Sequence, residues 1–103
     1  MSRYSKETLH RLRNQIPITD LIVHVLGIPA KTRDGYLRFL CPLCSEFLTA
    51  CHPRTNLARC FRCQKNFNPI DLTMVVKGLN FREAVEFLLQ KENSFQEVGG
   101  NAR

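Results

Sequence analysis

No stretch of this sequence approaches the roughly 20 consecutive apolar residues that a membrane-spanning helix needs. The first fifteen residues carry Arg3, Lys6, Arg11 and Arg13 but no unbroken apolar segment, so no secretory signal is expected. No cluster of acidic side chains and no activated nucleophile stands out, which leaves catalysis by this chain without a candidate centre. No internal repeat is visible apart from two cysteine pairs. Acidic residues are scarce, 9 against 15 lysines and arginines, and the formal charge is +6. Five cysteines cannot all pair with one another. With no export signal, the simpler expectation is a reducing cytoplasm in which thiols are held by metal rather than oxidised.

Four of those cysteines are regularly spaced. Cys41-Pro42-Leu43-Cys44 and Cys60-Phe61-Arg62-Cys63 form C-x2-C-x15-C-x2-C. Each C-x-x-C turn presents two sulfurs on one side of a tight loop, and two such turns complete a tetrahedron around one Zn2+. Cys41, Cys44, Cys60 and Cys63 are therefore the expected ligands. Four sulfurs leave no open position for water, so the zinc is expected to be structural. A chain of 103 residues buries only a modest core. Zinc bound to four cysteines can add about 10 kcal/mol or more of folding free energy. A dithiol redox role is the competing reading, but neither pair opens a helix within a βαβ pattern. Cys51 and His52 are alternatives for a ligand position. They read instead as an inward-facing strand residue and a turn residue beside Pro53. His10 and His24 lie on expected helices and receive no role.

Around the cysteines the chain reads as α+β. Ser5 caps a first helix to about Gln15, with Leu9, Leu12 and Ile16 on one face. Thr19 is expected to cap a second, Asp20 to Leu26, ended by Gly27, with Ile18 and Val23 as a hydrophobic staple. Ile28–Thr32 and Tyr36–Leu40 flank Arg33-Asp34-Gly35, a hairpin signal. Phe47–Cys51 and Leu57–Arg59 read as two more strands, joined by the turn Pro53-Arg54-Thr55-Asn56. Asn68 caps a helix from Pro69 to Lys77, ended by Gly78. Asn80 and Glu83 form a capping box for a last helix with an apolar stripe of Phe81, Ala84, Val85, Leu88 and Leu89. Residues 1–91 are expected to form one domain. Residues 92–103 read as a tail or linker.

In this order, the motifs resemble the N-terminal zinc-binding domain of bacterial DnaG-type DNA primases. The matching features run from Asp20-Leu21-Ile22 and Lys31-Thr32-Arg33-Asp34-Gly35-Tyr36 through both cysteine pairs. They continue through Asn68-Pro69-Ile70-Asp71-Leu72-Thr73-Met74 to Gly78-Leu79-Asn80-Phe81-Arg82-Glu83-Ala84. Departures are clear. The family's second ligand is usually histidine and here is Cys44, which zinc accepts equally. A threonine-proline-serine-phenylalanine segment and a glycine-rich run are replaced by Glu46-Phe47-Leu48-Thr49 and Gln64-Lys65-Asn66-Phe67. The chain resembles a divergent member, from a bacterium, a phage or another mobile element.

The resemblance implies a zinc ribbon on a small antiparallel sheet flanked by helices. It also implies binding of single-stranded template DNA on the exposed sheet face near the zinc. The nucleotidyl-transfer chemistry would lie in a separate catalytic domain. That domain or the replicative helicase would be protein partners. Single strands are held by cations on phosphates and flat side chains under bases. Lys31, Arg33 and Arg38 are candidate phosphate contacts and Tyr36 the candidate stacking platform. Arg59, Arg62 and Lys65 around the second pair extend the surface. Arg33 and Arg38 are expected to face each other across the hairpin, a like-charge pair that an anion would relieve. Phe61 reads as core. Outside nucleic-acid binding, a zinc ribbon can also serve as a protein–protein adaptor, docking through its apolar last helix.

Overall fold

The computed structural model describes residues 4–52 and 54–100, those beyond Glu92 as backbone. Its centre is a five-stranded antiparallel sheet in the order β1-β2-β3-β4-β5, each strand beside its sequence neighbour. The strands are β1 (Ala30–Arg33), β2 (Tyr36–Phe39), β3 (Thr49–His52), β4 (Leu57–Cys60) and β5 (Lys65–Phe67). The helices are α1 (Lys6–Asn14), α2 (Ile18–Asp20), α3 (Pro69–Lys77) and α4 (Phe81–Gly100). A π-helical turn, Leu21–Val25, continues α2.

Local chemistry explains most boundaries. Ser5 Oγ accepts from Thr8 N at 3.0 Å and starts α1. Asn68 and Asp71 satisfy each other's backbone N–H groups in a capping box, with Pro69 in the first turn of α3. Gly78 takes φ +66 and stops that helix, a conformation that costs glycine little. Asn80 and Glu83 repeat the reciprocal cap at α4. Asp34 and Gly35 both have positive φ in a two-residue turn between the facing pair Arg33 and Tyr36. That is the primed turn a right-twisted hairpin prefers.

Alternation sorts the sheet into two faces. Ala30, Leu37, Phe39, Thr49, Cys51, Ala58, Cys60 and Phe67 share the inner face by register. Most of them join Ile18, Ile22 and Leu72 in a core cluster. A second cluster lies among the helices, built on Leu12, Ile16, Leu21, Ile70, Ala84, Val85 and Leu88. The α2 turn and α3 supply residues to both, so they join the sheet layer to the helix layer. Arg11 holds the Glu92 carboxylate in a two-point pair that links α1 to α4. Helical backbone continues from there to Gly100, and residues 101–103 of the expected tail lie outside the described residues.

Several expectations change. The second helix begins at Ile18, with Pro17 at its cap position and no capping side chain, so Thr19 does not cap it. Val23 is exposed while Ile18 is buried, so the two do not form a staple. The third strand starts two residues late, because Phe47 and Leu48 belong to the loop of the first cysteine pair; it ends on His52. β5 has no counterpart in the sequence reading, since a three-residue Lys-Asn-Phe segment has no alternation long enough to detect. Phe81 is exposed at the start of α4, outside its apolar stripe.

The expected turn after β3 contains the least anticipated contact of the fold. Pro53 lies outside the described residues, but Asn56 takes φ +56, a conformation that asparagine tolerates. Its Oδ1 accepts from Ile18 N at 2.9 Å, and its Nδ2 donates to Arg13 O at 2.8 Å and Ile16 O at 2.7 Å. One side chain thus satisfies the open backbone between α1 and α2 and fastens it to the sheet. Replacing it strands a donor and two acceptors, each net hydrogen bond being worth about 1 kcal/mol. Asn56→Ala is expected to lower stability by about 2–4 kcal/mol in urea denaturation of the zinc-loaded protein.

Candidate metal centre and nucleic-acid interface

The meander brings both cysteine pairs to one end of the sheet. Phe39, Thr49, Cys60 and Lys65 are successive cross-strand partners along that end. Cys41 follows β2 with only Leu40 between, and Cys60 closes β4. The connections leaving that end are therefore the two knuckles. Phe61 N donates to Leu48 O at 2.9 Å and ties the second knuckle to the loop of the first.

The four sulfurs lie within 4.8 Å of one another. Cys41 and Cys63 Sγ are 3.9 Å apart, Cys44 and Cys60 Sγ 3.6 Å. A zinc–sulfur distance of about 2.3 Å in a tetrahedron requires sulfur–sulfur edges of about 3.8 Å. The cluster has the dimensions and the donor chemistry for one zinc ion. All five cysteines are free thiols, and neither C-x-x-C opens a helix, which removes the structural setting of a redox dithiol. Cys51 is buried on the inner sheet face and does not join the cluster; burial pushes its thiol up to about 12. His52 ends β3, a strand residue rather than a turn residue, and also stands outside the cluster.

In each knuckle backbone N–H groups reach both the sulfur and the carbonyl of the first cysteine, the sulfur from two residues on in one and three in the other. Leu43 N donates to Cys41 Sγ at 3.4 Å and Cys63 N to Cys60 Sγ at 3.3 Å. Ser45 N donates to Cys41 O at 2.9 Å and Gln64 N to Cys60 O at 2.7 Å. To make those turns, Ser45 takes φ +62 and Gln64 φ +56. Both positions are ones where glycine would be unstrained.

In the metal-free protein the thiols differ. Burial pushes Cys63 up to about 12, helped by sharing hydrogen bonds with Cys44, Cys60 and Cys41. Burial also raises Cys44. At Cys60 burial acts upward, but the Cys63 N–H and neighbouring thiols together outweigh it and bring the group down to about 7. Thiolates that accept hydrogen bonds are favoured in this way.

The second feature is the outer sheet face. Cross-strand register lines up Lys31, Arg38, Ala50, Arg59 and Asn66, with Arg33 beside Tyr36. None of these side chains belongs to either core cluster. The expected Arg33–Arg38 pair is not formed, because the two-residue turn places Lys31 opposite Arg38 and Arg33 opposite Tyr36. Lys31 Nζ lies 5.2 Å from the Phe47 ring centroid. Arg38 Nε is buried without a hydrogen-bond partner among the described residues. Tyr36 and Phe61 are 48% and 57% exposed, and both line one cleft on this face with Arg38 and Arg59. Phe61 is thus not core, and only its exposure in the folded chain identifies it. Arg62 is exposed beside it. Lys65 alternates to the other side of β5, where it lines a shallow recess with Leu43, Phe67 and Asp71.

Two outcomes follow. Zinc binding must expel the protons of Cys44 and Cys63, so affinity should rise with pH. Competition against a chromophoric chelator between about pH 7 and 9 is expected to show a gain of at least about a hundredfold per pH unit, one decade for each displaced proton. Gln64→Gly should relieve left-handed strain of about 1 kcal/mol, partly offset by the freer unfolded chain, and raise the urea midpoint of the zinc form.

Comparison with known proteins agrees with this geometry. The CHC2 zinc finger of the DnaG zinc ribbons matches residues 4–101, nearly the whole chain. No curated protein matches it. The two knuckles, the five-stranded sheet and that match lead to one assignment: the chain belongs to the CHC2 zinc finger family, the zinc-binding ribbon of DnaG-type primases, and its cofactor is a structural zinc ion.

Proposed function

We propose that this chain is the template-binding module of a DNA primase. It holds single-stranded DNA across the outer face of its sheet to support primer synthesis in DNA replication. Cys41, Cys44, Cys60 and Cys63 ligate the zinc, which acts by fixing the two knuckles and the strands that enter them. Residues 1–91, with Glu92 paired to Arg11, form the working unit, and the remainder of α4 leads on from it toward a tail or linker. The polymerising chemistry belongs to a separate catalytic domain, and the setting is the cytoplasm of a bacterium or of the host of a phage or mobile element. No described helix is long and apolar enough to cross a membrane.

The outer face carries this reading. Lys31 stands directly across from Arg38. Like charges at that spacing, about 5 Å, destabilise a sheet unless an anion lies between them. Arg38 also keeps a buried Nε–H without a partner among the described residues. A phosphate group would relieve both costs. Arg33, Arg59 and Arg62 extend the positive charge on either side of that pair, and exposed Tyr36 supplies a ring on which a base can stack. Alternating cations and flat rings suit a flexible single strand better than a duplex, whose bases are already stacked. Lys65 lies on the other side of β5 and is the candidate least suited to this surface.

Lys31→Ala combined with Arg38→Ala should lower the slope of log affinity against log salt by about 0.7 per lost phosphate contact. Fluorescence anisotropy with short single strands measures this, and an unchanged slope would remove the pair from the interface. Tyr36→Ala is expected to weaken binding by about tenfold at fixed salt, the typical worth of one stacked base.

A further inference from the structure

Thr49 begins β3 on the inner face of the sheet, fully buried, and its Oγ1 has no hydrogen-bond partner among the described residues. A buried hydroxyl in that state lowers stability, and a valine of the same shape would avoid the cost. The other buried threonine has its partner: Thr73 Oγ1 donates to Pro69 O at 2.8 Å.

Register places Thr49 directly opposite Cys60. The bond from Phe61 N to Leu48 O flanks that pair, so Thr49 and Cys60 face each other as a non-hydrogen-bonded pair. Facing side chains stand closest in such pairs, with Cβ atoms about 5 Å apart. The orphaned hydroxyl is therefore the cross-strand neighbour of a cysteine in the metal cluster.

That cluster needs donors once zinc is bound. Four thiolates outweigh one Zn2+ by two charges, and the excess adjoins the hydrophobic core, where Cys41 and Cys60 are buried. Buried charge is tolerated only when hydrogen bonds reach it. Among the described residues two backbone N–H groups, those of Leu43 and Cys63, donate to the sulfurs. Groups that hydrogen-bond to metal ligands orient them and tune the hold on the metal.

We infer that Thr49 is a positioning residue of the metal centre, its hydroxyl donating to the Cys60 thiolate of the zinc-loaded protein. A change in the one torsion χ1 aims it there. Cys60 then accepts from two sides, from Cys63 N–H and from Thr49. A neutral thiol is a weak acceptor, which leaves the hydroxyl without a partner until metal displaces the proton. The inference rests on the four-cysteine zinc site and is independent of the nucleic-acid reading.

The test is Thr49→Val, which keeps the shape and removes the hydroxyl, with zinc affinity read by competition against a chromophoric chelator. A merely structural role predicts equal or tighter binding, because valine removes an orphaned group and suits a strand. The positioning role predicts about tenfold weaker binding, the low end for a hydrogen bond to a charged group. Thr49→Ser and Thr49→Ala repeat the comparison at smaller volume, and serine should bind zinc about tenfold tighter than alanine. Substituting Co2+ for zinc gives a spectroscopic signature. Loss of the donor raises the sulfur lone pairs in energy, so the thiolate-to-cobalt absorption should move to longer wavelength in Thr49→Val but not in Thr49→Ser. Equal or tighter zinc binding by Thr49→Val would overturn the assignment, as would an unmoved cobalt band. If Thr49→Val takes up no metal, the serine and alanine variants decide, and equal affinity of those two would overturn it.

Discussion

Four sulfurs gathered at one end of a small sheet are the constraint on which the remaining architecture depends. The inner-face core is thin, and two of its buried members are cysteines of the cluster, Cys41 and Cys60. Partly buried Cys44 and Cys63 pack against the same core. Metal centre and hydrophobic core are therefore contiguous. Ordering the knuckles fixes the ends of β2, β4 and β5, and those strands present the inner face to α2 and α3. In a domain of this size such a contribution matters, because apolar burial alone leaves a narrow margin over chain entropy.

The same geometry separates the two jobs of the sheet. Alternation sends Phe39, Cys51, Ala58 and Phe67 inward and Lys31, Arg38 and Arg59 outward from the same strands. The inner face supplies stability, and the outer face is left free to carry charge that a core could not hold. Lys31 opposite Arg38 is unfavourable for folding taken alone, as is a buried Nε–H without a partner. Zinc and Asn56 hold the sheet firmly enough to keep such an arrangement. Local cost compensated elsewhere is the pattern expected of the interface proposed above.

Much of the molecule was legible in the linear sequence because its signals are local. Ser5, Asn68 and Asn80 cap helices through side chains that reach only three residues along the chain. Asp34-Gly35 fixes a hairpin through two dihedral pairs. The metal cluster was legible for a related reason: C-x-x-C constrains each pair locally, and zinc chemistry requires the two pairs to meet. What escaped were features set by distant partners. Asn56 bonds to residues 38 to 43 positions away, so nothing beside it in sequence marks its role. β5 exists because Ala58, Arg59 and Cys60 offer it an edge. Phe61 reads as an ordinary core aromatic until the turn that carries it is seen to face solvent.

The sequence by itself determined the metal, its ligand chemistry, the order of the helices and the first four strands, and the basic, ring-bearing character of the hairpin. These depend on side-chain type and short-range spacing, which a chain carries before it folds. Only the tertiary structure decided that Lys31 rather than Arg33 faces Arg38, that Lys65 turns away, and that Tyr36 and Phe61 border one cleft. The physical reason is register. A strand shows alternate residues to opposite faces, so a boundary error of one residue reverses which side chains meet. Turn geometry and cross-strand hydrogen bonds remove that ambiguity only once the sheet is assembled.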